Sequence, residues 1–349
     1  MKPAVLSLVS MATAVVLSGP VGATENPPKV VASIKPIHSL VATVMLGIGE
    51  PDLIIEGAGS PHTYALKPSQ AAALENADLV FWVGHVMETF LEKPIESILR
   101  RGVSVELIDA PGVKTMEFRE GGAFAAHDHD HRGSHDDEKE HGHEKEHGHG
   151  HEKEHEHDKA HAGGKERAHT DDHDDHAVDG HIWLDPMNAK ALVGAIKDAL
   201  VKADPAHRKT YEANAAAANG MLSALTREVT ATLAPVKAQK SVVFHDGYQY
   251  FEKRFGVRAA GSITVSPEVM PGAARLGEIR ARLKTLGATC VFAEPQFEPK
   301  LVSVVIEGTS ARSSVIDPLG ANLEPGPDQY MSLIKNMARS IRNCLSKPG

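Results

Sequence analysis

Three histidines stand at positions where a parallel sheet would present metal ligands. His62 follows the apolar run 52–56 across a short loop, His245 directly follows the run 241–244, and His181 lies just before a predicted helix. Because ligands bind beyond the carboxyl ends of parallel strands, these imidazoles are expected to converge. Three imidazoles suit Zn²⁺, which binds four ligands tetrahedrally, so the sequence predicts a zinc site.

Asp317 is the candidate for the fourth ligand, because it ends the predicted strand 313–316. An Asp before a proline also commonly caps a turn, so a water molecule is the alternative in that position. The dominance of nitrogen argues against Mg²⁺ and Ca²⁺, and a Mn²⁺ site would more often pair two histidines with two carboxylates. We expect Glu294 to support the site, and Asp185 either to start a helix or to orient a ligand histidine.

Most of the other histidines lie in one acidic segment. Residues 127–176 hold 15 of the 21 histidines, with 7 Lys and Arg against 17 Asp and Glu. The net charge of this segment is therefore −10, and because the whole chain has a net charge of −9, the remaining residues have a net charge of +1. A segment without an apolar face cannot offset the entropy of ordering, so we predict a disordered insert at 121–179. Its imidazoles are expected to bind several zinc ions weakly, for capture, shuttling or buffering; a solvated acidic linker is the alternative.

The three histidines outside both the insert and the predicted zinc site are expected to have structural roles. His38 falls on the first predicted helix, His85 follows a strand, and His207 lies in the first turn of a long helix. A single histidine in such a place is usually a surface or capping residue. We therefore predict that these three do not bind metal.

The rest of the chain alternates short apolar runs with amphipathic ones, which predicts parallel sheets covered by helices. Strands are predicted at 29–34, 52–56, 77–83, 103–108, 241–244, 259–265, 288–292 and 313–316. Helix 205–234 has apolar residues from Tyr211 to Leu233 spaced by threes and fours, and it would be about 45 Å long. We expect an α/β fold of two lobes, each a mostly parallel sheet flanked by helices, joined by one long rigid helix.

The chain is therefore divided into four parts. We predict a signal peptide at 1–23, an N-terminal α/β lobe at 24–203, a connecting helix at 204–235 and a C-terminal α/β lobe at 236–349. The first part has one basic residue, a fourteen-residue apolar run and small residues ending at Ala23, which is typical of a secretory signal. Because that run is too short to span a membrane and no cysteine follows it for a lipid anchor, we expect a soluble periplasmic protein.

Cys290 and Cys344 are the only cysteines in the sequence. Two cysteines far apart in an exported chain are first interpreted as a disulfide. Two buried thiols or thiolate metal ligands are the alternative, although the CxxC spacing that would support metal binding is missing.

Four motifs in the chain resemble the ZnuA-like zinc receptors, the zinc-specific solute-binding proteins of bacterial ABC importers. They are Ser33-Ile34-Lys35-Pro36, His181-Ile182-Trp183-Leu184-Asp185-Pro186, Phe244-His245-Asp246-Gly247-Tyr248 and Asp317-Pro318-Leu319-Gly320. The resemblance implies two α/β lobes joined by a rigid helix, with zinc held between them. It also implies delivery of the zinc to a membrane permease driven by a cytoplasmic ATPase.

The resemblance also implies roles for individual residues. His62, His181 and His245 match the three ligand histidines, and Cys290 and Cys344 match the disulfide of the zinc-specific branch. The histidine-rich insert stands where that branch carries its loop.

One position departs from the family pattern. Some relatives have a Glu immediately before the first ligand histidine, whereas this chain has Pro61. That leaves Asp317, which matches a ligand in manganese-type relatives, or a water molecule as the fourth ligand.

Two other functional classes fit parts of the sequence. Three histidines with an open position also activate water in zinc hydrolases, but no general base at a spacing such as HExxH is present. A histidine-rich metal buffer would use the two lobes only as a scaffold. We therefore expect no enzymatic activity. We also expect no nucleic-acid binding, because the chain outside the insert has no excess of basic residues. The expected protein is a monomer whose partners are zinc and a permease.

Overall fold

The computed structural model describes residues 26–119, 178–264, 272–287, 289–298 and 300–346. The predicted signal peptide and nearly all of the predicted insert lie outside the described residues. Val178 and Asp179, which the composition assigns to the insert, instead belong to the ordered fold: an antiparallel bridge pairs Val178 with Glu117, and Asp179 is fully buried.

The N-terminal lobe is a four-stranded parallel sheet with the strand order β2-β1-β3-β4. Its elements are β1 (Val30–Ala32), α1 (Lys35–Val44), β2 (Asp52–Leu53), α2 (Pro68–Glu75), β3 (Leu79–Trp82), α3 (Thr89–Ile98) and β4 (Val103–Glu106). Strands β1 and β3 are buried along their whole length, as expected of central strands covered on both faces. Pro36 lies in the first turn of α1, where the missing N–H of proline has no helical partner to lose.

The residues from Val86 to Leu99 have apolar side chains at helical spacing, but α3 begins only at Thr89. Glu88 explains the difference, because its buried carboxylate accepts hydrogen bonds from the backbone N–H groups of Val83 and Gly84, each at 3.1 Å, and closes a turn after β3. The hydroxyl of Ser33 also donates to this carboxylate, at 2.5 Å. Burial raises the pKa of Glu88 to about 7.

The C-terminal lobe repeats the arrangement of the first lobe. Its parallel sheet has the order β6-β5-β7-β8. The elements are β5 (Ser241–Val243), α6 (Gln249–Phe255), β6 (Ala259–Ser262), α7 (Ala273–Leu286), β7 (Cys290–Ala293), α8 (Lys300–Ile306), β8 (Arg312–Val315) and α9 (Gln329–Leu345). The two sheets with the same strand order confirm the predicted fold class.

Two helices lead from the first lobe to the second, α4 (Pro186–Ala203) and α5 (Arg208–Leu233). Short 3₁₀ turns at Pro205–His207 and Ala234–Val236 flank α5, so the segment predicted as one helix from 204 to 235 is one α-helix of 26 residues with a 3₁₀ turn at each end. The carboxylate of Asp204 accepts hydrogen bonds from the His207 ring and the Tyr211 hydroxyl instead of capping an α-helix. The seven apolar positions predicted for this helix are buried: Tyr211, Ala215, Ala218, Leu222, Leu225, Val229 and Leu233.

A shared hydrophobic core joins the lobes. One continuous cluster of buried side chains runs from the N-terminal sheet through α1, α4 and α5 to α6 and α9, and a smaller cluster lies between the C-terminal sheet and helices α7 and α8. Separating the lobes would expose this core to water, at a free-energy cost of about 25 cal/mol per Å² of apolar surface. Among the described residues, no helix combines the length and apolar character needed to cross a membrane.

Polar contacts across the core reinforce the joint between the lobes. The buried ammonium of Lys35, on α1, donates to the backbone carbonyls of Gly320, Ala321 and Leu323 in the loop after β8. The indole N–H of Trp183 donates to the carbonyl of Pro318 in the same loop, at 2.9 Å. The loop after β8 is therefore held by residues of the other lobe.

Cys290 and Cys344 form a disulfide that connects β7 to α9, with 6.0 Å between the two Cα atoms. Both residues are buried. The prediction that the two cysteines form a disulfide is thereby confirmed, and the bond links the last helix covalently to the C-terminal sheet.

We predict that Cys290→Ala/Cys344→Ala lowers the free energy of unfolding by about 4 kcal/mol, because the bond closes a loop of 54 residues in the unfolded chain. Denaturant titration with and without a reductant measures this effect. Reductant should destabilise the wild type and leave the double variant unchanged. Equal unfolding midpoints for both proteins without reductant would contradict the prediction.

Candidate metal centre

Three histidines from separate parts of the chain meet in the cleft between the lobes. His62 lies in the loop after β2, His181 immediately precedes the 3₁₀ turn Ile182–Leu184, and His245 follows β5. One nitrogen from each ring lies within 4.8 Å of the other two. Among the residues that the structure describes, no other group of three or more His, Cys, Asp or Glu side chains is close enough together to hold a metal ion.

The distances between the rings match a shared small ion. The Nε2 atoms of His181 and His245 are 3.1 Å apart, and the ring centroids of the three histidines are separated by 5.0 to 5.9 Å. Nitrogens bound tetrahedrally to one Zn²⁺ at about 2.0–2.1 Å are about 3.4 Å from each other. The rings can therefore reach a common ion with small side-chain movements.

Two carboxylates determine which ring nitrogens face the cleft. The Nδ1 of His181 donates to Asp179 at 2.7 Å, and the Nδ1 of His245 donates to Glu294 at 2.6 Å. A neutral imidazole that carries its proton on Nδ1 has its lone pair on Nε2. Two lone pairs only 3.1 Å apart repel each other unless a proton or a cation lies between them, so the pair is built to bind a positive charge.

The charges around the site have opposite effects on two of the histidines. Burial, followed by the neighbouring His181 and His245, lowers the pKa of His62 well below its ordinary value. Burial also opposes protonation of His245, but Glu294, together with Asp179 and Asp246, outweighs it and raises the pKa of that ring. The Nε2 of His62 is buried and has no hydrogen-bond partner among the described residues. His62 is therefore held neutral with a nitrogen available for coordination.

Burial alone would raise the pKa of Asp179, but the charge and N–H groups of His181 lower it below the ordinary value. A second side chain completes the environment of this carboxylate, because the amide of Gln249 donates to its other oxygen at 2.8 Å. Asp179 thus stays ionised beside a metal-ligand candidate and fixes its orientation.

Apolar side chains surround the three rings. Besides the histidines, the small cleft is lined by five apolar residues, Pro61, Trp183, Phe297, Pro318 and Leu319, and by three polar ones, Ser60, Glu294 and Gln296. Phe297 stacks on Phe244, with 4.7 Å between ring centroids. The one carboxylate in this lining, Glu294, has Oε1 bonded to the Nδ1 of His245. The otherwise mostly apolar surroundings strengthen electrostatic interactions inside the cleft.

Asp317 is placed apart from the three histidines. Its carboxylate accepts hydrogen bonds from the backbone N–H groups of Leu319, Gly320 and Ala321 and from the amide of Gln296. It lines a separate groove against α9 and does not line the histidine cleft. In the structure it therefore acts as the cap of its turn, and the choice between Asp317 and water as fourth ligand stays a prediction.

The other three histidines among the described residues have structural partners. Nε2 of His38 lies 2.9 Å from the carbonyl of Pro51, Nδ1 of His85 lies 3.1 Å from the carboxylate of Glu106, and His207 bonds to Asp204. None of these three belongs to the histidine cluster. His38 is buried, whereas a surface position was among the expectations.

The supporting carboxylates were predicted for one histidine and missed for the other. Glu294 supports His245, as expected. Asp185 caps α4 by accepting from the N–H of Met187 and pairs with Arg254, so it orients no ligand histidine. The carboxylate that orients His181 is instead that of Asp179. Its position two residues before His181 was the available signal, but the acidic composition of the neighbouring insert concealed it.

Comparison with known protein families identifies a match along almost the whole described fold. The family model for ZnuA, the periplasmic component A of the zinc-uptake complex, matches residues 30–344. The high-affinity zinc uptake system protein ZnuA of Brucella suis is 55% identical over 318 residues, which cover 91% of this chain and 92% of that protein. The corresponding protein of Yersinia pestis is 33% identical over 348 residues, covering 97% and 98%.

Solved structures share the two-lobed fold. A crystal structure of ZnuA superimposes with a TM-score of 0.68 at 23% identity, covering 92% of this chain and all of that one. The periplasmic zinc-binding protein TroA from Treponema pallidum gives a TM-score of 0.69 at 17% identity, with the same coverage. The family match and the identity to the Brucella protein show that this chain belongs to the ZnuA family of periplasmic, high-affinity zinc-uptake proteins.

Proposed function

We propose that this chain captures one Zn²⁺ in the cleft between its lobes, with His62, His181 and His245 as ligands, and delivers it to the permease of an ABC importer. The observation that carries the proposal is the convergence of three imidazole nitrogens within 4.8 Å of one another. The nitrogen-rich donor set and the apolar lining favour Zn²⁺ over Mg²⁺, Ca²⁺ and Mn²⁺. Either Asp317 or a water molecule completes the tetrahedron.

The proposal also assigns roles to the predicted signal peptide and to the histidine-rich insert. Residues 1–23 direct export to the periplasm, and the chain works as a monomer that docks on the membrane permease. The histidine-rich insert is an auxiliary zinc-binding element. Its acidic charge and closely spaced imidazoles support weak binding of several ions.

Hydrolysis is not a function of this family, which supplies solute-binding components of transport systems. The site itself agrees with transport. The two buried carboxylates nearest the histidines, Asp179 and Glu294, are engaged with the Nδ1 atoms of His181 and His245. A general base would instead have to contact a metal-bound water.

We predict that His62→Ala, His181→Ala and His245→Ala each abolish tight zinc binding, because two imidazoles cannot replace a three-nitrogen site. Isothermal titration calorimetry on protein lacking residues 127–176 isolates this site from the insert. His207→Ala is the control, since that ring bonds to Asp204 away from the cleft. Tight binding retained in all three variants would remove the proposal.

We predict that Asp179→Asn and Glu294→Gln weaken zinc binding by about 10- to 100-fold while preserving one bound ion, since outer carboxylates orient the ligand rings. The matched control is Glu106→Gln, which alters the same kind of carboxylate–histidine pair at His85, outside the cleft. Competition with a chromophoric zinc chelator measures the affinities. Wild-type affinity in both site variants would show that the carboxylates do not support the ligands.

We predict that deletion of residues 127–176 leaves one tight zinc site and removes the weaker ones. Titration of the full chain and the deleted chain should differ in stoichiometry and not in the affinity of the first ion. Loss of nearly all binding in the deleted chain would favour the histidine-rich buffer instead.

A further inference from the structure

Both ends of the histidine-rich insert are held by one element of the C-terminal lobe. We call residues 116–119 and 178–179 the stems of the insert. The antiparallel bridge between Glu117 and Val178 joins them, and the N–H of Asp179 donates to the carbonyl of Met116 at 2.8 Å. Helix α6 and the turn before it contact both stems.

The second stem contacts α6 through its backbone and through a carboxylate. The hydroxyl of Tyr250 donates to the carbonyl of Asp179 at 2.6 Å and accepts from the N–H of Met116 at 2.9 Å. Gln249 donates to the Asp179 carboxylate at 2.8 Å and to the carbonyl of Glu117 at 3.0 Å. The carboxylate that orients His181 is thus also part of the contact between the lobes.

The first stem contacts α6 through a cluster of buried charges. The guanidinium of Arg119 donates from Nε to both oxygens of Asp246, at 2.9 and 3.0 Å, and from Nη1 to Glu252 at 2.6 Å. The third nitrogen of the guanidinium, Nη2, also donates to Asp246. The Arg119 side chain is 17% exposed, and those of Asp246 and Glu252 are 2% and 9% exposed. One cation therefore holds two buried anions.

Asp246 directly follows His245 in sequence, so the Arg119 cluster lies next to a ligand of the proposed zinc site. Without the guanidinium, two buried carboxylates would face each other uncompensated, and a buried charge that loses its partner is strongly destabilising. Relief of that repulsion would displace the turn that carries His245. The charge of Arg119 therefore fixes the backbone on which one ligand ring stands.

We propose that Arg119 is a positioning residue that holds His245 in place and so slows the release of zinc. Asp179 on one stem aligns His181, and Arg119 on the other stem aligns His245 through Asp246. The stems thereby connect the base of the insert to the two imidazoles whose nitrogens are 3.1 Å apart. This inference rests on the proposed zinc-receptor function.

The experiment measures zinc dissociation from the full-length protein loaded with one equivalent of zinc, by transfer to an excess of a fluorescent chelator. Arg119→Gln should accelerate dissociation by about tenfold or more, the scale of outer-shell effects on metal sites, with little change in the association rate. Arg119→Lys keeps the charge but loses the forked geometry, so its rate should lie between those of the wild type and the Gln variant.

Arg254→Gln is the matched control. Arg254 lies on α6 and, like Arg119, forms a two-pronged ion pair across the lobes, with Asp185 at 2.6 and 2.7 Å, but Asp185 does not adjoin a ligand histidine. This variant should release zinc at close to the wild-type rate. Equal acceleration in the Arg254 and Arg119 variants would mean general loosening of the lobes and would overturn the proposal, as would wild-type release from both Arg119 variants.

Circular dichroism and thermal unfolding establish that each variant is folded. If Arg119→Gln does not fold, the comparison of Arg119→Lys with Arg254→Gln decides the question by the same criterion. Failure of the wild type to take up the zinc would contradict the receptor function itself, and it is read separately from the difference between the arginine variants.

Discussion

Repulsion between two imidazole lone pairs is the interaction around which this molecule is organised. Asp179 and Glu294 draw the ring protons of His181 and His245 to Nδ1, and the two Nε2 atoms are left facing each other at 3.1 Å. Such an arrangement is unfavourable until a proton or a metal cation lies between the nitrogens. The carboxylates therefore prepare a site in which coordination relieves a repulsion that the fold maintains, and His62 contributes a third nitrogen from its own loop.

Maintaining that repulsion requires a scaffold that does not relax. The two sheets are connected by a continuous hydrophobic core through α4, α5 and α9, and not merely by linkers. Lys35 and Trp183 tie the loop after β8 to the N-terminal lobe. The stems of the insert add a second set of cross-lobe contacts beside the histidines. A rigid joint of this kind suits a receptor that binds an ion by preorganised geometry more than one that encloses its ligand by wide domain closure.

The sequence predicted local features better than long-range partners. Alternating runs predicted the two parallel sheets, and the spacing from Tyr211 to Leu233 predicted the buried stripe of α5. The convergence of three histidines followed from a general property of parallel sheets. Two details did not follow: the start of α3 at Thr89, which depends on Glu88, and the role of Asp179. Each is decided by a side-chain hydrogen bond that periodicity and composition do not encode.

The central claim is that one zinc ion binds the three imidazoles between the lobes. Crystallography of the protein loaded with one equivalent of zinc, with anomalous diffraction data collected at the zinc absorption edge, tests it most directly. We expect a single strong anomalous peak at about 2.0–2.1 Å from a nitrogen of each of His62, His181 and His245. A strong peak elsewhere, with the three rings bound to no metal, would contradict it.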